Sequence, residues 1–442
     1  MYFLVTLSFS FSRVQSESTV DMRAIVFLSI VCGIAEASVD MTVSHATWMG
    51  DLSPYLSSYT LYNLTLPGTH DSLSFNSSDQ VGNAVTPHSS TFGYLYSKKY
   101  LTESFARSVT ESQTLSITSQ LDSGVRFLDL RVTYRDGDWY GVHYLETQRS
   151  AGDYLNDIAL WLRSYSSEVV IIFISSDGTT GGENHFLGVS SNKQRAFWSS
   201  INTTFGDMIA SSDTYPISST PLATLVQAGK QVILVVSGWS VMTDSDPLAY
   251  DSRSFFNLNS PNTDSPLSAI RQHAGLNKLP LRDGGRFWLD SYAAVIPGAA
   301  VDAAMAAQFK LSRFLLGSWS AQKCSIVIGI PGSDYCPSSI DEYSRLTNYY
   351  NQRVIEKTLT TLGSDLPQIV TFSRLLDGGL IATDRAERST FSYAIVDKIL
   401  LRNLQRLCTQ DACTSATESL VERVRRTGPF RQWEDSAFGR TS

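Results

Sequence analysis

Between residues 61 and 383 the chain alternates short apolar runs with stretches of helical or polar spacing. Leu61 to Leu66 reads as a first strand, closed by the turn Pro67-Gly68-Thr69-His70-Asp71-Ser72. Second and third strands fall at 125–132 and 138–143, joined by Arg135-Asp136-Gly137-Asp138, whose Asp-Gly marks a turn. Tyr154, Leu155, Ile158, Trp161 and Leu162 predict a helix over Asp153 to Ser164, and Glu168 to Ser175 is a continuous apolar strand. Further runs lie at Gln231 to Ser237, Arg286 to Tyr292, Ser325 to Ile330 and Gln368 to Phe372. Several of these eight candidates are apolar throughout, as strands covered on both faces are. Helical or loop segments separate most of them, which favours an α/β fold, a parallel barrel with outer helices, over a sandwich.

The connections are uneven. Ser72 to Thr110 is rich in Ser, Thr and Asn, with Phe92, Tyr94, Tyr96, Tyr100 and Phe105 scattered through it. Gly238 to Gly285 holds Trp239, Phe255 and Phe256 and reads as a rim or lid, since long connections are usually functional. Ser112 to Ser123 is helical in pattern, with Gly124 as its stop. Beyond the barrel domain (38–383), Phe391, Ile395, Val396, Ile399, Leu400, Leu404 and Leu407 form an amphipathic stripe. A second helix over Ser415 to Arg426 stops at Gly428-Pro429. This C-terminal helical extension (384–428) either packs under the barrel or meets a membrane or partner, and 429–442 reads as a disordered tail.

Composition narrows the classes. With 442 residues, 43% of them hydrophobic, the chain can bury a large core. A net charge of -7 argues against a nucleic-acid binder that works by neutralising phosphates. Met22-Arg23, the apolar run Ala24 to Ile34 and Ala35-Glu36-Ala37 have the layout of a signal peptide over 1–37, predicting a secreted or lumenal protein. Either Met22 is the working start or the leader is unusually long. The apolar core falls well short of the roughly 20 residues a membrane span needs. Removing the leader deletes Cys32 and leaves Cys324, Cys336, Cys408 and Cys413, for which 324/336 with 408/413 is one of three connectivities. Asn63, Asn76 and Asn202 stand in glycosylation sequons, the last two in expected loops.

The candidate chemistry gathers at strand ends. Asp129 and Arg131 are two apart and share a face. His70 and Asp71 follow the first strand, and His143 ends the third. In a parallel barrel reacting groups sit at the carboxyl ends of strands, so all five residues would meet on one rim. Two imidazoles, a guanidinium and two carboxylates suit acid/base work on a phosphodiester. His45, His88, His185 and His273 have no evident carboxylate partner.

Leu66-Pro67-Gly68-Thr69-His70-Asp71-Ser72, the run from Leu115-Ser116-Ile117 through Gln120-Leu121 to Gly124-Val125-Arg126-Phe127-Leu128-Asp129-Leu130-Arg131, the strand ending in His143, and Glu168-Val169-Val170-Ile171-Ile172 resemble the phosphatidylinositol-specific phospholipase C X-domain-containing proteins. The resemblance covers Thr47 to Ser176 closely. It implies a distorted TIM barrel with long loop insertions, acting peripherally at a membrane surface on phosphatidylinositol or a glycosylated derivative. The products would be diacylglycerol and a cyclic inositol phosphate. His70 would be the general base, His143 the general acid and Arg131 the phosphate clamp, with Asp71 and Asp129 orienting His143 and Arg131. Calcium-dependent relatives carry an acidic residue where Arg131 stands, so the resemblance implies a site without metal or other cofactor. Asp290 and Tyr292 are similar to an inositol-contacting Asp-x-Tyr. Two departures stand out: the fifth strand, Val232 to Ser237, has no arginine, and Ser373 replaces a carboxylate that supports the first histidine. These keep a rival open, a catalytically weak or inactive lipid-headgroup or partner-binding module.

Overall fold

The structure is a computed structural model that describes residues 43–81, 99, 103–143, 145–176, 190–237, 247–259, 286–292, 368–372, 385–407 and 416–421. All of them belong to the compact unit Met41–Ser442. The leader, the four cysteines, the run 325–330, Ser373 and the tail lie outside the described residues, as does most of the connection after Ser72.

The elements follow in order. Helices α1 (Trp48–Asp51) and α2 (Ser53–Leu56) precede strands β1 (Leu66–Thr69) and β2 (Ser77–Val81). Next come α3 (Glu103–Thr110), α4 (Ile117–Asp122), β3 (Phe127–Arg135), β4 (Asp138–His143), β5 (Leu145–Ser150) and α5 (Ala151–Ser164). Then β6 (Val170–Ser176), α6 (Ser191–Phe205), α7 (Leu222–Gln227), β7 (Val232–Val236), β8 (Tyr250–Asp251), α8 (Ser252–Phe255), β9 (Phe256–Asn259), β10 (Phe287–Tyr292), β11 (Ile369–Phe372) and α9 (Arg385–Leu407).

One sheet holds every described strand. Its parallel part runs β9, β10, β11, β1, β3, β6, β7, β8, each paired with the next except where β8 meets β9. Connecting helices make this an α/β fold. The sheet curls strongly: Phe256 on β9 meets Phe127 on β3 with ring centroids 5.8 Å apart, although β10, β11 and β1 lie between them. A ladder from β8 to β9, which would close a barrel, is not present among the described residues.

Three strand expectations change. The first strand is Leu66–Thr69, not Leu61 to Leu66, because Thr60 and Asn63 cap each other and turn Leu61–Asn63 into a 3-10 helix. Pro67 does not end the strand, since its carbonyl still accepts from Arg126 N–H at 2.8 Å. The predicted third strand is not one of the parallel set: β4 returns antiparallel beside β3 and continues antiparallel into β5. In the expected rim, β8 and β9 add two short parallel strands. Asn202 lies inside α6 rather than in a loop, and the Asn63 side chain is spent on Thr60.

The amphipathic stripe of α9 is buried at Ile395, Val396, Ile399, Leu400 and Leu404. Asn403 imitates a neighbouring peptide, accepting from Thr65 N–H and donating to Thr65 O just before β1. His45 has a partner after all: its Nε2 lies 2.8 Å from Asp397 Oδ1 on this helix. No described helix is long and apolar enough to cross a membrane.

Candidate active site

The register that sets Thr69 beside Leu128 brings His70 level with Asp129. His70 N–H still donates to Phe372 O at 3.0 Å, so the residue stays on the ladder to β11. Asp71 then leaves the sheet with φ at 47°, a left-handed conformation that aspartate tolerates better than most residues. Ser72 locks the turn to β3: its N–H donates to Asp129 O at 2.7 Å, and Asp129 N–H donates to Ser72 Oγ at 2.9 Å. Two glutamines brace the turn from behind. Gln113 donates to the carbonyls of His70 and Phe372, while Gln120 accepts from Thr69 Oγ1 and donates to Ser72 O.

Strand alternation sets Phe127, Asp129 and Arg131 on one face. Phe127 packs with Phe173 and Phe256, and above this aromatic floor the charged groups meet. Arg131 Nε lies 2.5 Å from Asp71 Oδ1, and Nη2 lies 3.5 Å from Asp129 Oδ2 and 2.7 Å from His70 Nε2. A guanidinium can only donate, so His70 Nε2 accepts and the ring proton sits on Nδ1, 3.1 Å from Asp71 Oδ2.

His143 reaches the same place by the hairpin. Because β4 pairs antiparallel with β3, Val132 opposite Gly141, its last residue comes back down to the level of Leu130. Its Nε2 lies 3.6 Å from Asp71 Oδ2, and its Nδ1 donates to Thr110 O at 2.6 Å. Both imidazoles therefore approach one carboxylate oxygen, Asp71 Oδ2. The Asp71 side chain is only 1% exposed, while those of His70 and Arg131 are 15% and 16% exposed. The carboxylate is sealed beneath groups that face outward.

All five residues expected to converge do so. Asp71 touches His70 as well as His143 and Arg131, a wider reach than the sequence suggested. His70, Asp71 and Asp129 offer ligand atoms within 4.8 Å of one another, a spacing that suits a cation, yet Arg131 reaches all three and supplies positive charge there. For Asp290 and Tyr292 the backbone register is informative. Tyr292 pairs with Phe372, which pairs with Thr69, so β10 ends level with β1 and His70. Strand β7 is apolar throughout, leaving no arginine there.

Ser72, Thr110, Ser112, Gln113 and Gln120 escaped the sequence reading as site residues. Gln120 stood inside a motif, but Ser112 and Gln113 fell at the start of the helix expected over Ser112 to Ser123, which forms only over Ile117–Asp122 and leaves both in the polar stretch before it.

Residues 103–203 match the PI-PLC X domain family model. This span includes Asp129, Arg131 and His143 but not His70 and Asp71. PI-PLC X domain-containing protein 1 of Mus musculus is 31% identical over 177 residues, 39% of this chain and 48% of that protein. PI-PLC X domain-containing protein 3 of Danio rerio is 32% identical over 175 residues, 37% of this chain and 49% of that protein. The matches thus span about half the length of these curated relatives. Among solved structures, the phosphatidylinositol-specific phospholipase C of Listeria monocytogenes superposes with a TM-score of 0.48 at 14% identity, covering 81% of this chain and 98% of that one. The chain therefore carries a PI-PLC X domain over residues 103–203 and is similar over that part of its length to the PI-PLC X domain-containing proteins.

Proposed function

We propose that the chain is a phospholipase-C-type phosphodiesterase that cleaves phosphatidylinositol or a glycosylated derivative to diacylglycerol and a cyclic inositol phosphate. The observation that carries this is the shared oxygen of Asp71, with His70 Nδ1 at 3.1 Å and His143 Nε2 at 3.6 Å. In this reading His70 Nε2 removes the proton of the inositol 2-hydroxyl, whose oxygen attacks phosphorus. The bond to the glycerol oxygen breaks as His143 delivers a proton to it. Arg131 holds the non-bridging oxygens, where charge-assisted contacts strengthen as charge develops. Before substrate arrives Arg131 occupies the lone pair of His70, so the phosphate must draw the guanidinium off to release the base.

The same arrangement supports a site that works without calcium: Arg131 already meets each of the three residues that would ligate it. A divalent cation and the guanidinium would compete for Asp71 and Asp129. Asp290 and Tyr292, near the end of β10, are the proposed inositol contacts. The reading extends to peripheral action at a phosphoinositide-bearing membrane and, from the leader, to a secreted or lumenal protein.

A second reading has Ser373 and the arginine-free β7 in its favour: a module that binds the headgroup, or a partner, without cleaving. The test uses purified protein on vesicles of labelled phosphatidylinositol with excess chelator. Turnover should persist under chelation and fall about 100- to 10,000-fold in His70→Ala and in His143→Ala. Vesicle binding by folded protein with no release of headgroup would favour the second reading, and turnover abolished by chelator would overturn the metal-free site.

A further inference from the structure

Helix α3 ends at Thr110, and the last carbonyls of a helix have no partners inside it. The Thr110 carbonyl is fully buried and accepts from two donors outside the helix. Ser74 Oγ–H donates to it at 2.7 Å and His143 Nδ1–H at 2.6 Å. A carbonyl oxygen has two lone pairs, and here both are used.

Ser74 is itself held between the two parts it joins. Its N–H donates to Asp71 O at 2.8 Å, and its own carbonyl accepts from Gln113 N–H at 2.9 Å. The turn that carries His70 and Asp71 thereby fixes the direction of the Thr110 carbonyl. Since a carbonyl cannot donate, the His143 proton at this contact must sit on Nδ1. That leaves Nε2 as the nitrogen turned toward Asp71 and the site. Ser112 Oγ, 3.4 Å from Nδ1 and 3.3 Å from Asp71 Oδ2, also lies beside that nitrogen, and its hydroxyl would permit either tautomer.

We propose that the Thr110 carbonyl, aimed by Ser74, fixes the tautomer and ring orientation of His143, so that Nε2 is the nitrogen presented for proton exchange with the substrate. Ser74 is then a positioning residue that never touches substrate. Its consequence for turnover rests on the phosphodiesterase reading, but the tautomer does not. A histidine held in the wrong tautomer can be nearly useless even when its place is unchanged.

The experiment labels the full chain with 15N-histidine and reads the two-bond proton–nitrogen correlations of His143, assigned by their loss in His143→Gln, at a pH where the ring is neutral. Wild type should show the Nδ1–H tautomer. Ser74→Ala should shift His143 toward a tautomer mixture and lower kcat on phosphatidylinositol about 10- to 100-fold with KM unchanged, the range for groups that orient a functional histidine from behind. Ser74→Thr, which keeps the hydroxyl, should restore both. A wild-type Nε2–H tautomer overturns the proposal, and that spectrum decides even if Ser74→Ala fails to fold. So does a folded Ser74→Ala whose tautomer and kcat match wild type. The Nδ1–H tautomer without any turnover would uphold the positioning and sink the phosphodiesterase reading.

Discussion

Arg126 and Arg131 belong to the same stretch of chain, one just before β3 and one within it, and each meets carboxylate. Their surroundings are opposite. Arg126 is on the helix-facing side: it donates to Glu168, to Leu121 and Val125 carbonyls and to His45 and Ala46 carbonyls. Its guanidinium carbon lies over the rings of Trp48 and Trp161, 5.7 and 5.0 Å from their centroids. Glu168 is equally satisfied, with both oxygens accepting from backbone N–H groups of Met49 and Gly50. Burial pulls the guanidinium below its ordinary pKa while Glu168 pushes the other way. Arg131 meets titratable groups instead, and beside it Asp71 Oδ1 and Asp129 Oδ1 accept no aligned hydrogen bond. A buried ion pair whose capacity is filled holds elements together, while one with acceptors to spare, open to solvent on one side, can do chemistry.

The sharpest way to break this contrast is to make the same conservative change at both positions. Arg126→Lys keeps the charge but lacks the fork, so several carbonyls around it lose their donor in a sealed space. With each buried group left unsatisfied costing about 1–3 kcal/mol, a total loss of roughly 3 kcal/mol or more is expected in urea unfolding. Turnover per folded molecule should not change. Arg131→Lys should do the reverse. Losing the planar clamp on the phosphate should lower kcat about 100-fold, comparable to removing one oxyanion donor, while stability moves by less than about 1 kcal/mol. If both variants lost stability alone, the upper cluster would be structural too.

Much of this division was legible in the chain, though not its assignment. Alternation separates Arg126 from Asp129 and Arg131, and the turn after Thr69 fixes where His70 must arrive. The sequence did carry the signal that β4 turns back on β3, since Asp136-Gly137 leaves no room for the crossover a parallel strand needs, but the parallel-barrel reading passed over it. It brought His143 to the site for the wrong reason: the antiparallel hairpin, not the carboxyl end of a parallel strand, returns it there. Pro67 hid the first strand, since proline within a sheet usually argues against one. The Asp71 hub was hidden because one residue at positive φ decides which way its carboxylate faces. Polar braces such as Gln113 carry no period at all, and only the folded chain identifies them.

The smallest effect comes from Ser150, which lies between the two regions and belongs to neither. It pairs with Tyr140 on β4, the strand that carries His143, and it caps α5, the helix whose Trp161 covers Arg126. Its Oγ accepts from Asp153 N–H at 3.2 Å while Asp153 Oδ2 accepts from Ser150 N–H at 3.2 Å, a reciprocal cap. Ser150→Ala removes one half of it, and such losses cost about 1 kcal/mol. The cap is partly exposed, so water can take over the freed N–H. The expected outcome is an unfolding free energy in urea lowered by about 1 kcal/mol with kcat and KM unchanged. A fall in kcat beyond the loss of folded protein would mean that β4 transmits strain to His143, and that nearness along a strand, not only contact, couples a residue to the site.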